Sequence, residues 1–356
     1  MRRLIVDEAA FRKNVGLILT DMGSVPVIGV CKGGGMGLGS VQYAKTLLSL
    51  GVASLAVSTV EEGQALRGGG IDCPILMLSS TSLESEVKEL IRLGITPTVG
   101  SAVAALALSG SGAAVHVKVE TGFGRYGFFP GEEQLAADAL SNAGLTVSGI
   151  FTHFSKSFSS SSDTKRQLAA FLAFADRLKV LGFDAKVRHC ANSCGALLHK
   201  NTRLDAVRIG SAFLGRLPVK PPLPLEKIGW LEADVAELHS LPKGHNVGYT
   251  NIYYTKRATR TAVVTAGLAD GIGVNRDKDA FRAVDHARYI WHGVKDTFNP
   301  PCVQCVINGR TVKTLGRIGL TSVVADVTDM DCTIGDTARF EVNPLLVDSS
   351  VPRIWR

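Results

Sequence analysis

The chain has 356 residues, of which 46% are hydrophobic and 20% are charged, and this composition excludes a disordered protein. Its net charge of +7 comes from basic residues spread along the chain, which favours small anionic ligands over nucleic acid. Seven cysteines, an odd number, and the lack of a long apolar run predict a reduced, cytoplasmic protein with no membrane contact. At about 150 residues per domain, the length predicts two domains.

Short β-branched runs alternate with segments of helical periodicity from about residue 8 to residue 220. This alternation is typical of βα units around a parallel sheet, and eight such runs predict a TIM-like (β/α)8 barrel. A doubly wound open sheet is the alternative, but no register of the glycine run at 33–39 has the spacing of a dinucleotide-binding fingerprint. The predicted strands are Val25–Val30, Ser54–Ser58, Pro74–Leu78, Thr96–Val99, Ala114–Val119, Val147–Phe151, Lys186–His189 and Ala206–Ile209.

A proline-rich segment, Leu217–Pro224, ends this pattern, because proline disfavours helices and central strands. We therefore expect the barrel at residues 8–222 and a second domain at residues 228–356, joined by residues 1–7. Strand-like runs and turns fill the second domain, and Asn308-Gly309 between two such runs predicts a hairpin. The second domain is thus predicted to be mostly antiparallel β-structure.

Polar side chains follow five of the predicted strands at their carboxyl ends, where a barrel places its active site. A lysine desolvated in such a mouth has a lowered pKa, which suits covalent catalysis through its amine. Each residue alone is more often structural, but their convergence on one mouth indicates a site that binds and transforms a small molecule. The residues are Lys32, Lys118, Arg125, His153, Ser193, Arg208, Gly210 and Ser211.

A metal site is not predicted. The pair Cys302 and Cys305 forms a single C-x-x-C motif, whereas a structural zinc site needs four ligands. His189, Cys190 and Cys194 lie close together, but nothing nearby completes a ligand set. We therefore expect these cysteines to be buried or without a role in the chemistry.

The segments at the strand ends resemble those of the alanine racemase family in order and spacing. They are the Lys32 segment, Val117–Phe128, Gly149–Phe154, His189–Ser193 and Val207–Gly210. The second domain is similar too, through Val247–Tyr249, Gly267–Gly271, Gly316-Arg317, Asp326–Asp329 and Val351–Arg353. The resemblance spans nearly the whole chain, and it implies a pyridoxal 5'-phosphate enzyme of fold type III that interconverts L- and D-amino acids, with alanine as the expected substrate.

The resemblance implies two catalytic residues. The lysine matching Lys32 holds the cofactor through its amine and serves as one base, and the tyrosine matching Tyr249 reaches in from the partner subunit as the other. Racemisation needs two such groups, because a proton leaves one face of the α-carbon and arrives at the other. A homodimer with shared active sites is therefore expected.

The resemblance also implies the residues that bind the cofactor. Arg208 matches an arginine facing the pyridine nitrogen, and because arginine keeps its proton, that nitrogen stays unprotonated and side reactions are limited. His153 matches a residue that hydrogen-bonds this arginine. The phosphate-binding positions are Ser193, Gly210 and Ser211, whose hydroxyl and N–H groups suit an anion.

On the substrate side, Arg125 matches an arginine near the cofactor hydroxyl and the substrate carboxylate. Leu320 lies in the segment that matches the one receiving that carboxylate. Lys118 matches a lysine that is carbamylated in many family members and steadies the arginine.

Four positions depart from the family pattern. Met36, Leu268 and Ser349 stand where the family commonly has tyrosine, and Thr321 stands where it has a carboxylate. These changes predict a weaker grip on the phosphate and a pocket that admits a longer side chain, so a racemase acting on serine, lysine or ornithine stays open.

Two readings outside racemisation also stay open. A non-catalytic pyridoxal-phosphate-binding protein would resemble the barrel alone, so the second domain and Tyr249 argue against it. Aldol cleavage or decarboxylation could start from the same bound substrate, but related decarboxylases carry a carboxylate where this chain has Arg208.

Overall fold

The computed structural model describes residues 1–274, 286–291, 293 and 302–356. The chain forms two compact units, Asp7–Ile228 and a second unit that combines Met1–Val6 with Gly229–Arg356. Within the described ranges, no helix is both long enough and apolar enough to cross a membrane.

The first unit is an eight-stranded parallel barrel with the strand order β8-β7-β6-β5-β4-β3-β2-β9. Its edges meet through backbone hydrogen bonds from Asp205 to Arg188 and from Arg208 to Ala191, at 3.1 and 3.0 Å. The predicted TIM-like barrel is confirmed, with all eight strands near their predicted positions. They are β2 (Val27–Val30), β3 (Ser54–Val57), β4 (Ile75–Ser80), β5 (Thr96–Val99), β6 (Ala114–Lys118), β7 (Thr146–Phe151), β8 (Val187–His189) and β9 (Val207–Ile209).

Helices surround the barrel strands and cover their outer faces. Val115 and Val117 of β6 belong to one buried cluster with Phe171 and Phe174 of α8. Because side chains alternate along a strand, His116 and Lys118 point to the opposite face, into the barrel. The helices are α1 (Glu8–Met22), α2 (Lys32–Met36), α3 (Ser40–Ser49), α4 (Val60–Gly68), α5 (Glu84–Arg92), α6 (Ala102–Ala107), α7 (Glu133–Asn142), α8 (Ser161–Val180) and α9 (Ser193–Leu198).

The turn α2 is left-handed rather than an ordinary helix. Gly33, Gly34 and Gly35 have φ angles of 62°, 66° and 66°, and Met36 follows at 56°. Only glycine adopts such angles at little cost. A Cβ atom on Gly35 would also lie 2.8 Å from the Cα of Ser40. The glycine run therefore sets the path of the backbone directly after Lys32.

The second unit is a mostly antiparallel sheet with the order β11-β14-β13-β12-β15-β10-β1-β16, which confirms the predicted fold class. Strand β10 pairs with β1 and β15 through its first half and, beyond an irregularity at Val235–Glu237, with β11. Asn308 and Gly309 have φ angles of 48° and 75°, so the predicted hairpin turn joins β12 and β13. The strands are β1 (Arg2–Val6), β10 (Trp230–Leu241), β11 (Thr259–Val264), β12 (Gln304–Ile307), β13 (Arg310–Leu315), β14 (Val323–Asp326), β15 (Thr337–Glu341) and β16 (Arg353–Trp355).

Candidate active site

Arg208 lies on β9 and is only 2% exposed. Its two Nη atoms donate five hydrogen bonds, the shortest to Nδ1 of His189 and to the carbonyl oxygen of Thr152, both 2.6 Å. All of these acceptors are neutral, and burial lowers the pKa of Arg208 to about 10. Among the described residues no carboxylate pairs with the guanidinium and none of its bonds uses Nε. Arg208 is thus a fixed cation with one N–H group left for a ligand.

His153 lies just after the end of β7. Its Nδ1 is 3.4 Å from a guanidinium nitrogen of Arg208, whereas Nδ1 of His189 is only 2.6 Å from the other one. Burial, followed by the positive charges of Arg208 and three further cations, keeps the pKa of His153 well below its usual value. His153 is therefore neutral at physiological pH. The three further cations that act on it are Lys118, Arg125 and Lys32.

Lys118 ends β6 and is 4% exposed. Its Nζ lies 5.0 Å from the ring centroid of Tyr126 and 5.3 Å from that of Phe151. Burial, then the charges of Arg125 and Arg208, lower the pKa of Lys118 to about 7. A substantial fraction of this amine is neutral at physiological pH, and neutral amines are nucleophilic.

Arg125 lies in an exposed loop that a single carboxylate holds in place. Glu120 accepts backbone hydrogen bonds from Gly122 at 2.5 Å and from Arg125 at 3.1 Å. Although burial favours its neutral form, backbone N–H groups of the loop keep the pKa of Glu120 below its usual value. The guanidinium of Arg125 lies 4.5 Å from the ring centroid of Phe123. The loop backbone is therefore fixed, and the guanidinium packs against an aromatic ring of the same loop.

A cleft of about 360 Å³ adjoins Arg125 at the carboxyl ends of β4, β5 and β6. Tyr126 and Phe129 add aromatic surface to it. The cleft therefore offers hydrogen-bonding groups, one cation and the carboxylate of Glu120 to a polar ligand. Its hydroxyl groups belong to Ser80, Thr81, Ser82, Ser101 and Tyr126.

Ser193, the first residue of α9, connects two strand ends. Its Oγ accepts hydrogen bonds from the backbone N–H groups of Gly210 at 3.2 Å and Ala212 at 3.4 Å. The hydroxyl proton is then available to a ligand. A Cβ atom on Gly210 would lie 3.4 Å from the sulfur of Met36, so the left-handed turn packs beside this position.

Of the remaining candidate residues, Lys32 at the start of α2 is exposed and Ser211 is half-buried in the barrel, and the others lie in the second unit, where most of them face solvent. Tyr249 is 70% exposed, and Leu320 is 66% exposed. The segments that carry Leu268 and Leu320 are neighbours, since Leu268 donates a backbone hydrogen bond to Gly319 at 3.0 Å. Thr321 and Ser349, two of the departures, are exposed as well.

Two residues at the site were not among the predicted site residues. His189 is the nearest side-chain acceptor of Arg208, and His116 contacts His189 at 3.0 Å. The spacing of His116 and Lys118, two residues apart on one strand, could have indicated that both face the barrel interior. The contacts of His116 with His189 and of His189 with Arg208 have no local sequence signal.

A parallel barrel with basic side chains at the carboxyl ends of its strands, in a chain that also holds a mostly antiparallel β unit, defines the class of (β/α)8-barrel proteins, whose sites lie at that end of the strands. Residues 6–218 match the family model "Alanine racemase, N-terminal domain", and residues 229–343 match "Alanine racemase, C-terminal domain". The chain belongs to the alanine racemase family, as the sequence resemblance predicted.

Individual relatives agree with this assignment. An alanine racemase of Desulforamulus reducens is 34% identical over 74% of each chain, and one of Clostridium perfringens is 30% identical over 93% of this chain and 83% of its own. Among solved structures, an alanine racemase of Clostridium difficile is 24% identical with a TM-score of 0.86, covering 100% of this chain and 95% of its own. That last likeness concerns the fold alone.

Proposed function

We propose that this chain is a pyridoxal-phosphate-dependent alanine racemase. The observation that carries the proposal is the buried guanidinium of Arg208, which has only neutral partners among the described residues and lies in the same mouth as Lys32. Relatives over most of the chain are named alanine racemase, which supports alanine as the substrate.

The donor set of the barrel mouth fits pyridoxal phosphate. The cofactor carries a phosphate, a ring nitrogen that accepts a hydrogen bond, and an aldehyde that reacts with an amine. Lys32 would supply the amine, and the free N–H of Arg208 would meet the ring nitrogen. The phosphate would be held by Ser193, Gly210 and Ser211, with His153 beside Arg208.

When bound, the cofactor withdraws electrons from the α-carbon of an attached amino acid, so that its α-proton becomes acidic. Lys32 would then take or return that proton on one face and Tyr249 on the other. Arg125 would bind the substrate carboxylate beside Leu320, and Lys118 would steady Arg125. An unprotonated ring nitrogen opposite Arg208 would limit the reaction to proton exchange.

The exposure of Tyr249 supports a shared active site. A catalytic phenol needs a partly desolvated pocket, yet this side chain is 70% exposed in the single chain. We infer that it completes the site of a second copy, so that the active protein is a homodimer.

Proton exchange tests the reaction directly. The purified protein, supplied with pyridoxal phosphate, is incubated in heavy water with a mixture of L-amino acids and followed by proton NMR. Loss of the alanine α-proton signal, with D-alanine found by chiral analysis, is the expected result. Aldol or decarboxylation products, or no exchange despite bound cofactor, would contradict the proposal.

A complementation experiment tests the shared site. Chains carrying Lys32→Ala and Tyr249→Phe are each expected to have little activity. After mixing, half of the dimers combine both chains and one of their two sites is intact, so about a quarter of the wild-type activity should return. No recovery in verified mixed dimers would mean that each site is built from one chain.

The hydroxyl-lined cleft beside Arg125 favours a second candidate, a racemase that also accepts a polar side chain. Steady-state rates with alanine, serine, lysine and ornithine test it. Serine within about tenfold of alanine would support the broader range, because one unsatisfied hydrogen bond is worth about that factor. A preference for alanine by orders of magnitude would exclude it.

A further inference from the structure

Two histidines extend the contacts of Arg208 into the barrel interior. His189, fully buried on β8, accepts from Arg208 through Nδ1 at 2.6 Å, and its Nε2 lies 3.0 Å from Nδ1 of His116 on β6. The ring of Phe151 stacks on that of His189 with centroids 5.0 Å apart and planes at 10°. The three residues Arg208, His189 and His116 therefore form one chain of hydrogen bonds.

The guanidinium fixes which nitrogen donates in each of these hydrogen bonds. Arginine has only N–H donors, so Nδ1 of His189 must carry a lone pair and its proton must lie on Nε2. That proton is donated to Nδ1 of His116, which places the proton of His116 on its own Nε2. Burial lowers the pKa of His116 to about 4 and that of His189 well below its usual value, so both rings stay neutral.

Gly149 on β7 provides the space that His116 occupies. A Cβ atom on Gly149 would lie 2.4 Å from Cε1 and 2.5 Å from Nε2 of the His116 ring. Any other residue at this position would displace a ring held by a hydrogen bond. The sequence thus supplies both the acceptor, His116, and, through Gly149, the space that its ring occupies.

We propose that His116 is a positioning residue for Arg208. By accepting the proton on His189, it fixes the tautomer and the ring angle of His189, and so provides a neutral acceptor where a buried cation would otherwise require a carboxylate. Hydrogen bonds that run in one direction strengthen one another, so loss of the last acceptor weakens the bond at Arg208. That this arrangement positions the N–H of Arg208 toward the cofactor's ring nitrogen rests on the proposed function.

The tautomers can be observed in the unmodified chain. Nitrogen-15 NMR of the histidine rings, with and without pyridoxal phosphate, should show a bare Nδ1 and a protonated Nε2 in both His116 and His189 at neutral pH. Signals are assigned by their absence from the His116→Gln and His189→Gln proteins. A proton on Nδ1 of His189, or a doubly protonated ring in either residue, would overturn the proposal whether or not the chain racemises alanine.

Matched variants test the effect on Arg208. His116→Phe keeps a ring above Gly149 but removes the acceptor, whereas His116→Gln keeps an acceptor without the ring. His116→Phe should raise the Kd for pyridoxal phosphate, measured by absorbance, by about tenfold and lower kcat by up to about a hundredfold with KM little changed. His116→Gln should recover most of both losses.

Gly149→Ala should act like His116→Phe, because it displaces the same ring without altering a polar group. His239→Phe, on an exposed histidine of β10, is the control and should leave Kd unchanged. A Kd for His116→Phe within twofold of wild type, or a glutamine variant no better than the phenylalanine variant, would overturn the proposal. Because Kd and NMR do not need turnover, failure of the proposed racemisation would be seen separately.

Discussion

Three candidate residues of the barrel are held firmly by their own unit, whereas Lys32 and Arg125 of the barrel are exposed like most candidates of the second unit. Arg208, Lys118 and Ser193 are buried and fixed by hydrogen bonds or ring contacts, while Tyr249 and Leu320 extend into solvent. A buried polar group needs hydrogen-bond partners inside its own fold, because burial without them costs free energy. An exposed group is solvated by water and can form its contacts with another molecule later. The difference supports the proposed function, in which the barrel would bind the cofactor and the second unit would complete the site of another copy.

Lys32→Ala is expected to have the largest effect. On the proposed function, loss of the amine would remove both the covalent attachment of the cofactor and one of the two bases, so racemisation should fall by more than about a thousandfold. Chiral analysis measures the rate, and the absorbance band of lysine-bound cofactor should disappear. Retention of that band would show that another lysine holds the cofactor.

Tyr249→Phe should distinguish the proposed roles of the barrel and the second unit most clearly. We expect racemisation to fall by about 10²- to 10⁴-fold while the Kd for pyridoxal phosphate stays unchanged, because the variant would lose the proposed base without losing a cofactor contact. Tyr254→Phe, a half-exposed tyrosine of the same segment, is the matched control and should remain active. If the Tyr249→Phe protein bound the cofactor more weakly instead, the proposed division of cofactor binding to the barrel and catalysis to the second unit would be wrong.

Ser193→Ala should act on cofactor binding rather than on turnover. A hydrogen bond to a charged group is worth about 1.5–3 kcal/mol, so the Kd for pyridoxal phosphate should rise by roughly ten- to a hundredfold. With saturating cofactor, kcat should recover. Ser148→Ala, whose hydroxyl bonds the carbonyl of Val115 elsewhere on the barrel, is the control.

Lys118→Met should have the smallest effect on activity and should act instead on the pH dependence of stability. In the folded chain the pKa of Lys118 is lowered to about 7, so between this pH and its ordinary pKa the unfolded chain binds the extra proton. Stability of the wild type should therefore rise with pH across that window, by about 1.4 kcal/mol per unit of pH. Thermal unfolding from pH 7 to 10 should show a smaller rise for Lys118→Met, and parallel curves would contradict the shift.

Much of the fold could be predicted because its signals are local. Alternating apolar runs marked the eight barrel strands, and Asn308-Gly309 marked a hairpin because both residues tolerate a positive φ. The start of α8 at Ser161 has a local cause as well, since the hydroxyl of Ser160 accepts the N–H of Asp163 at 3.2 Å.

The contacts within the candidate site could not be predicted in the same way. The partners of Arg208 come from β7 and β8, and nothing in the residues around Arg208 specifies which side chains will face it. His153 was the expected partner by resemblance, yet His189 lies closer. The left-handed turn after Lys32 was equally hidden, because a glycine run allows many conformations and only packing selects one.

The first strand has a consequence for the order in which the chain folds. Strand β1 pairs with β10 and β16, and the hydrogen bond from Arg3 to Glu232 joins residues 229 positions apart. During synthesis the barrel segment Asp7–Ile228 emerges complete while β1 still lacks both neighbours. Strand β1 is thus an open edge until β10 and β16 have been synthesised, and chains that stop before these strands would expose it to aggregation.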